Sequence, residues 1–285
     1  MEDDEVLALH TAAEEGSAEE VAELAGRVAD VDAEEEGRTA LWVAVYEGNH
    51  DHARALVAAG ADPWRPMMSG WSPGRLSLAG PEPGLFELPA GTDGLTEGEA
   101  AAVAEAKRLT AALGSHYYDG VGLACVAGIS AAEATRRLEA TVEDVDPEEF
   151  LDRIDPFDDE SLRFVGVTDV PGGCVVTQPW GYIPQAPGAT RRLSAGTVCY
   201  GMYANPKSGN QGSIVRDGEI VGWDLHPGGA PWEDDDAQEV LLSYLYKYNA
   251  VAYSCAYAGL RLTEARAITG PPDTWLRLPE RDHWN

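Results

Sequence analysis

Two stretches of the chain copy one another: Leu9-His10-Thr11-Ala12-Ala13-Glu14-Glu15-Gly16 and Leu41-Trp42-Val43-Ala44-Val45-Tyr46-Glu47-Gly48. Leu9 and Leu41, like Gly16 and Gly48, lie 32 residues apart, and Gly37 to Gly70 is 33. A fixed period of this length restricts the fold more than any other feature. Each unit is one supersecondary module that cannot bury its apolar face alone, so neighbours must stack. Each copy is followed by a second helical stretch, residues 18–24 and 50–59, and the second closes with Gly60-Ala61-Asp62-Pro63. Gly70-Trp71-Ser72-Pro73 stands where a third copy is due.

The pattern resembles the ankyrin repeat over residues 5–80, and every matched position has a physical role. Thr39 is placed to cap the first helix of its pair, and Gly48 permits the tight turn between helices. Ala12, Ala13 and Ala44 let paired helices approach, while Leu41, Leu56 and Val57 fill the space between repeats. The third copy degrades, with Gly74-Arg75-Leu76 at the usual helix start, and residues 80–95 read as an irregular Pro/Gly-rich excursion. Thr96-Glu97-Gly98-Glu99 is a capping box opening a helix over 100–113, the expected outer helix of the damaged repeat. So short an array falls below the roughly three repeats needed for a continuous core. It is therefore expected to lean on the rest of the chain, with the apolar face of helix 96–113 as the joint.

The resemblance implies a concave face used to hold other proteins. Its variable positions map to Thr11, Glu14, Glu15, Val43, Tyr46 and Glu47, and the first turn tip to Glu34, Glu35 and Glu36. The next tip carries Trp64, Met67, Met68 and Trp71. Carboxylates beside exposed aromatics and methionines suit a binder of a basic protein. The expected partner-binding residues are Glu14, Glu15, Glu35, Val43, Tyr46, Glu47, Trp64 and Met68. For Trp64 and Trp71, packing against the C-terminal half is an equal alternative.

From residue 115 the texture is α+β. Ser130-Ala131-Ala132-Glu133 reads as a second capping box, starting a helix that runs through Leu138. Strands are expected at 163–168 and 174–177 around Pro171-Gly172-Gly173, and at 197–203. Two more flank Asp217-Gly218, the strongest hairpin signal in the chain. A long helix is expected over 237–257 and a shorter one over 263–268. Val167-Thr168-Asp169, Arg192-Leu193-Ser194-Ala195-Gly196-Thr197 and the Asp217-Gly218 hairpin resemble, over 116–270, a domain of unknown function common in actinobacterial proteins. No activity transfers with it. The expected fold is multidomain: an all-α ankyrin-repeat array, residues 1–114, packed against an α+β domain with an antiparallel sheet, residues 115–285.

Twenty basic against forty-nine acidic side chains give a net charge of −29, with both halves acidic. This argues against nucleic acid and against an anionic membrane surface as partners. The opening Met1-Glu2-Asp3-Asp4-Glu5 is the reverse of a cationic signal peptide, and no apolar run reaches membrane-spanning length. Cys125, Cys174, Cys199 and Cys255 are widely spaced, as in a reduced cytoplasmic protein. Three lysines among twenty basic residues, with abundant alanine and glycine, suit a GC-rich genome such as an actinobacterial one, whose proteome accounts for part of the acidity.

Candidate chemistry is sparse. His50-Asp51-His52 sits at an inter-helix turn without a third ligand, so a polar turn outweighs a metal site. The run 139–160, with eleven acids and one base, lacks calcium-loop spacing and reads as a solvated loop. Glu233-Asp234-Asp235-Asp236 suits the dipole of the helix that follows. No phosphate loop, nucleophile elbow or zincin motif occurs, and no cofactor is expected. Cys125, Cys199 or Cys255 could pair with His116 or His226, although a free cysteine is more often a small buried hydrophobe. His116-Tyr117-Tyr118-Asp119 suits a ligand pocket or a packed helix boundary equally. The reading is a cytoplasmic protein-binding protein, specifically an immunity-like antagonist masking a basic effector such as a toxin. The rivals are an enzyme of specialised metabolism with His116, Tyr118 and a cysteine in a pocket between the halves, and a scaffold that inhibits nothing.

Overall fold

The computed structural model describes residues 2–116, 118–155, 158 and 160–284. Tyr117, Pro156, Phe157 and Asp159 lie outside them, so the histidine–tyrosine motif is described only in part. The chain divides into two compact units, Met1–Ala104 with Ala230–Leu245, and Glu105–Gly229 with Tyr246–Asn285.

The first unit is built from helix pairs. Helices α1 (Glu2–Glu15) and α2 (Ala18–Ala25) form one pair, α3 (Ala40–Glu47) and α4 (His50–Ala58) the next. Their limits follow from local chemistry. Ser17 accepts from the Glu20 N–H at 3.2 Å and Thr39 from the Trp42 N–H at 3.1 Å, satisfying donors that a helix start leaves open. Gly48 ends α3 at φ +80°, a left-handed conformation in which glycine has no Cβ penalty. Between the pairs, strands β1 (Glu34–Glu35) and β2 (Arg38–Thr39) form a short antiparallel hairpin. Beyond these pairs lie α5 (Pro73–Ala79), capped by Ser72, and helix α6 (Glu97–Leu113), which opens on the expected capping box. Glu99 accepts from the Thr96 N–H at 2.7 Å, while Thr96 Oγ1 accepts from the Glu99 N–H at 3.2 Å.

The core of this unit contains Leu9, Leu41, Trp42, Leu56, Trp71 and Leu76. Ala13, Ala40, Ala44 and Ala53 are fully buried where the helices approach most closely. The C-terminal carbonyls of α1 are held by the second repeat: Asn49 Nδ2 donates to Ala13 O at 3.0 Å and to Glu14 O at 2.8 Å. His52 Nδ1 lies 3.0 Å from the same Ala13 oxygen, and His50 Nδ1 lies 2.8 Å from Glu82. The two histidines of the His50-Asp51-His52 motif thus turn to different partners.

The expected long helix over 237–257 is two helices, α10 (Ala237–Leu245) and α11 (Ala250–Tyr257). Tyr248 breaks the helical path at φ +61°, and Asn249 caps α11 by accepting from the Ala252 N–H at 3.0 Å. Helix α10 belongs to the first unit and adds Val240 and Leu241 to its core. There Trp71 Nε1 donates to Ala237 O at 2.8 Å and the Tyr46 hydroxyl to Ser243 O at 3.0 Å. The short array does lean on later sequence, through this segment.

The second unit is an eight-stranded antiparallel sheet in the order β4-β10-β5-β6-β3-β7-β8-β9. Its strands are β3 (Gly122–Ala127), β4 (Thr141–Val142), β5 (Phe164–Val170), β6 (Gly173–Gln178), β7 (Val198–Asn205), β8 (Gly209–Arg216), β9 (Glu219–Leu225) and β10 (Thr274–Arg277). Central β3 alternates between two apolar layers. Ala124 and Val126 join the cluster beneath α7 (Ala131–Leu138) and α9 (Pro187–Leu193), whereas Cys125 faces α11, its sulfur 3.6 Å from that of Cys255. The hairpin between β8 and β9 turns on Asp217 and Gly218 at φ +46° and +80°, the left-handed pair that suits the sheet's twist. Ser130 caps α7 by accepting from the Glu133 N–H, but Glu133 does not complete a capping box: its carboxylate binds Arg136 and Arg137. The acidic run holds α8 (Pro147–Leu151), whose Phe150 packs 5.3 Å from Trp275. Arg266–Thr269 forms α12.

Candidate functional site

In the first unit, α1, the β1–β2 hairpin and α3 surround a groove of about 250 Å³. Thr11 and Glu14 come from α1, Glu35 and Arg38 from the hairpin, and Val43 and Glu47 from α3. The buried rings of Trp42 and Tyr46 complete the lining, and Ala230 closes one edge. The hairpin tip is set by two left-handed residues, Glu36 at φ +48° and Gly37 at φ +69°. A side chain at Gly37 would also meet the exposed Glu233 carboxylate, which can swing aside, so it is the left-handed φ that favours glycine there. His10 ties α1 to the hairpin, with its ring nitrogens 2.9 Å from Val6 O and Arg38 O.

Charge in this groove is lopsided. Glu14, Glu35, Glu36 and Glu47 line it against one arginine, Arg38, whose guanidinium lies 2.7 Å from Glu36. Acidity continues around it. Glu15 opens on a neighbouring depression with Asp4 and Glu20. Asp235, close to Glu239, Asp234 and Asp236, has its pKa raised, chiefly by burial and then by those neighbours.

Five of the eight residues expected to bind a partner therefore meet at one groove: Glu14, Glu35, Val43, Tyr46 and Glu47. Tyr46 contributes little exposed surface, since its ring lies 5.8 Å from that of Tyr244 and only 4% of the residue is accessible. The aromatic–methionine tip turns inward, and for Trp71 the alternative of packing against later sequence is the one observed. Met68 is buried, Trp71 is fully buried, and Trp64 is half-buried with its ring against Gly74. For Met68 and Trp71 the reason is α10, which packs on the turn Met68–Gly70 and on α5. Arg38 and Ala230 were not among the expected lining residues. The first is hidden in sequence by its pairing with Glu36, the second by its distance along the chain.

The second unit holds a polar cavity of about 580 Å³. Its wall runs from His116, Tyr118 and Asp119 after α6, through the β7–β8 hairpin, to Lys247, Tyr248 and Asn249 before α11. His116 and Tyr118 do meet here, their ring centroids 6.1 Å apart. Among the described lining residues there is no cysteine. All four thiols are buried, and burial pushes Cys174 up to about 12 and Cys125 and Cys199 well above the ordinary thiol value. Thiols held protonated are poor nucleophiles. His226, the other proposed partner, has Nδ1 3.2 Å from Asn210 O. Among the described residues no three His, Cys, Asp or Glu side chains gather as a metal site, and no helix is long and apolar enough to cross a membrane.

Residues 1–67 match the family model for ankyrin repeats, in three copies. The N-terminal region is thus an ankyrin-repeat array, a module for protein–protein interaction that presents its binding surface across stacked repeats. A comparison with curated proteins gave no match.

Proposed function

We propose that the ankyrin-repeat unit holds a basic protein through the groove between α1, the β1–β2 hairpin and α3, and that it acts in the cytoplasm as an immunity-like antagonist masking a basic effector such as a toxin. The observation that supports this reading is the four carboxylates facing one arginine around an apolar floor of Trp42, Val43 and Tyr46. Carboxylates at such a rim steer a cationic partner and set its register, while half-buried Val43 and exposed Leu7 supply apolar contact area. The chain's net charge of −29 extends that steering beyond the groove.

The test is a Glu14→Gln, Glu35→Gln, Glu47→Gln triple variant, compared with the parent for binding to the effector captured from the native cells. Affinity is expected to fall at least about tenfold, roughly 1.4 kcal/mol. It should also weaken steeply in the parent between low and physiological salt. Co-expression of the parent, but not the variant, should protect cells from the effector. A partner bound equally by both proteins and indifferent to ionic strength would remove the acidic groove as the contact.

A further inference from the structure

The polar cavity of the second unit inverts the charge pattern of the chain. The whole protein contains three lysines, and two of them, Lys207 and Lys247, line this one cavity. With His116 they face a single carboxylate, Asp119, in a chain where acids outnumber bases by forty-nine to twenty. Asn205, Asn210 and Asn249 add amide groups to the same wall.

The rings are placed as unusually as the charges. Tyr118 lends its ring to the wall, while its hydroxyl is buried away from the open cavity, where burial pushes its pKa up to about 12. Tyr248 is 77% exposed and holds a left-handed φ of +61°, a conformation disfavoured for a bulky side chain. Its N–H donates to Gly228 O at 2.8 Å, and its ring stands 5.1 Å from the Lys247 ammonium at the cavity rim. The volume falls within the range of about 300–1,000 Å³ typical of small-molecule sites.

The geometry points to a binding site for a small molecule that carries an anionic head group, phosphate or carboxylate, on an aromatic body. Lys207 and Lys247 neutralise the head group, the asparagine amides donate to its oxygens, and the rings of His116, Tyr118 and Tyr248 flank the aromatic body. This site is lined wholly by the second unit and is separate from the acidic groove.

Titration calorimetry of the full chain with phenyl phosphate, benzoate and benzyl alcohol tests the assignment and separates the two head groups. At least one anion is expected to bind with a Kd tighter than about 1 mM, and the alcohol at least about tenfold more weakly. Lys207→Ala and Lys247→Ala should each weaken that anion by about fivefold or more, with the far-ultraviolet circular dichroism unchanged. Failure of both anions to saturate below about 10 mM would overturn the site. Equal binding of the alcohol, or undiminished binding in folded lysine variants, would overturn it equally.

Discussion

The carboxylates whose titration is shifted differ in kind between the two units. In the ankyrin-repeat unit the perturbed acids are pushed up: Asp32 and Asp235 lose water on burial and stand among other acids, Asp30 and Asp62 in one case, Glu239 and its neighbours in the other. In the sheet unit the perturbed acids are pulled down by arginine hydrogen bonds. Arg108 holds Glu105 low, Arg136 and Arg137 bring Glu133 to about 2, and Arg281 with Arg192 does the same in kind for Glu139. One composition thus yields a unit whose shifted acids are crowded and partly desolvated and a unit whose shifted acids are held by arginines. Net charge describes neither the acidic groove nor the lysine-lined cavity. Each arises from which few side chains the fold gathers.

That contrast can be broken in order of expected size. Trp71→Ala removes a fully buried ring and its bond to Ala237 O, and should destabilise the first unit by about 3–5 kcal/mol. Hydrogen exchange should show the lost protection at residues 2–104 and 230–245, and equal loss across the sheet strands would mean that the units do not unfold separately. Tyr46→Phe keeps the ring but leaves Ser243 O without this donor, for an expected cost of about 1 kcal/mol in a denaturant melt. An unchanged midpoint would mean that α10 is held by packing alone.

The smallest effect is the most diagnostic. Asp32 and Asp235 bind protons more readily folded than unfolded, so their contribution improves as pH falls from neutrality through their raised values. Glu133 and Glu139 bind protons less readily folded, so the stability they contribute is present above the ordinary carboxylate range and is lost as pH falls below it. Peptide-resolved exchange at pH 7 and pH 4.5 should therefore shift in favour of the first unit relative to the second. A uniform response would deny that the two sets of acids differ.

Much of the repeat unit was legible because its signals are local. Thr39, Gly48 and the Thr96–Glu99 box act within a few residues of where they stand, and the hairpin at Asp217-Gly218 is of the same kind. The acidic rim was legible too, since α1 and α3 fix which positions face outward. The buried fate of Met68 and Trp71 was not, because it depends on α10, whose Ala237 lies 166 residues beyond Trp71. The break between α10 and α11 has no glycine or proline to announce it; Tyr248 and Asn249 make it by conformation and cap. Strand β3 escaped notice for a different reason. Covered on both faces, Leu123-Ala124-Cys125-Val126 shows no polar alternation, and its alanine and cysteine carry little strand preference. The lysine cavity was half visible, in His116 and Tyr118, while its cations arrive from a hairpin tip and a helix start far along the chain.

Discontinuity in the first unit also imposes a schedule on its birth. Translation must run from Ala104 to Leu245 before the helix that covers Trp71 exists, an interval of roughly ten to thirty seconds at ordinary elongation rates. Throughout that interval the nascent array carries an unclosed apolar end, the kind of surface that chaperones grip and that neighbouring chains on a polysome can invade.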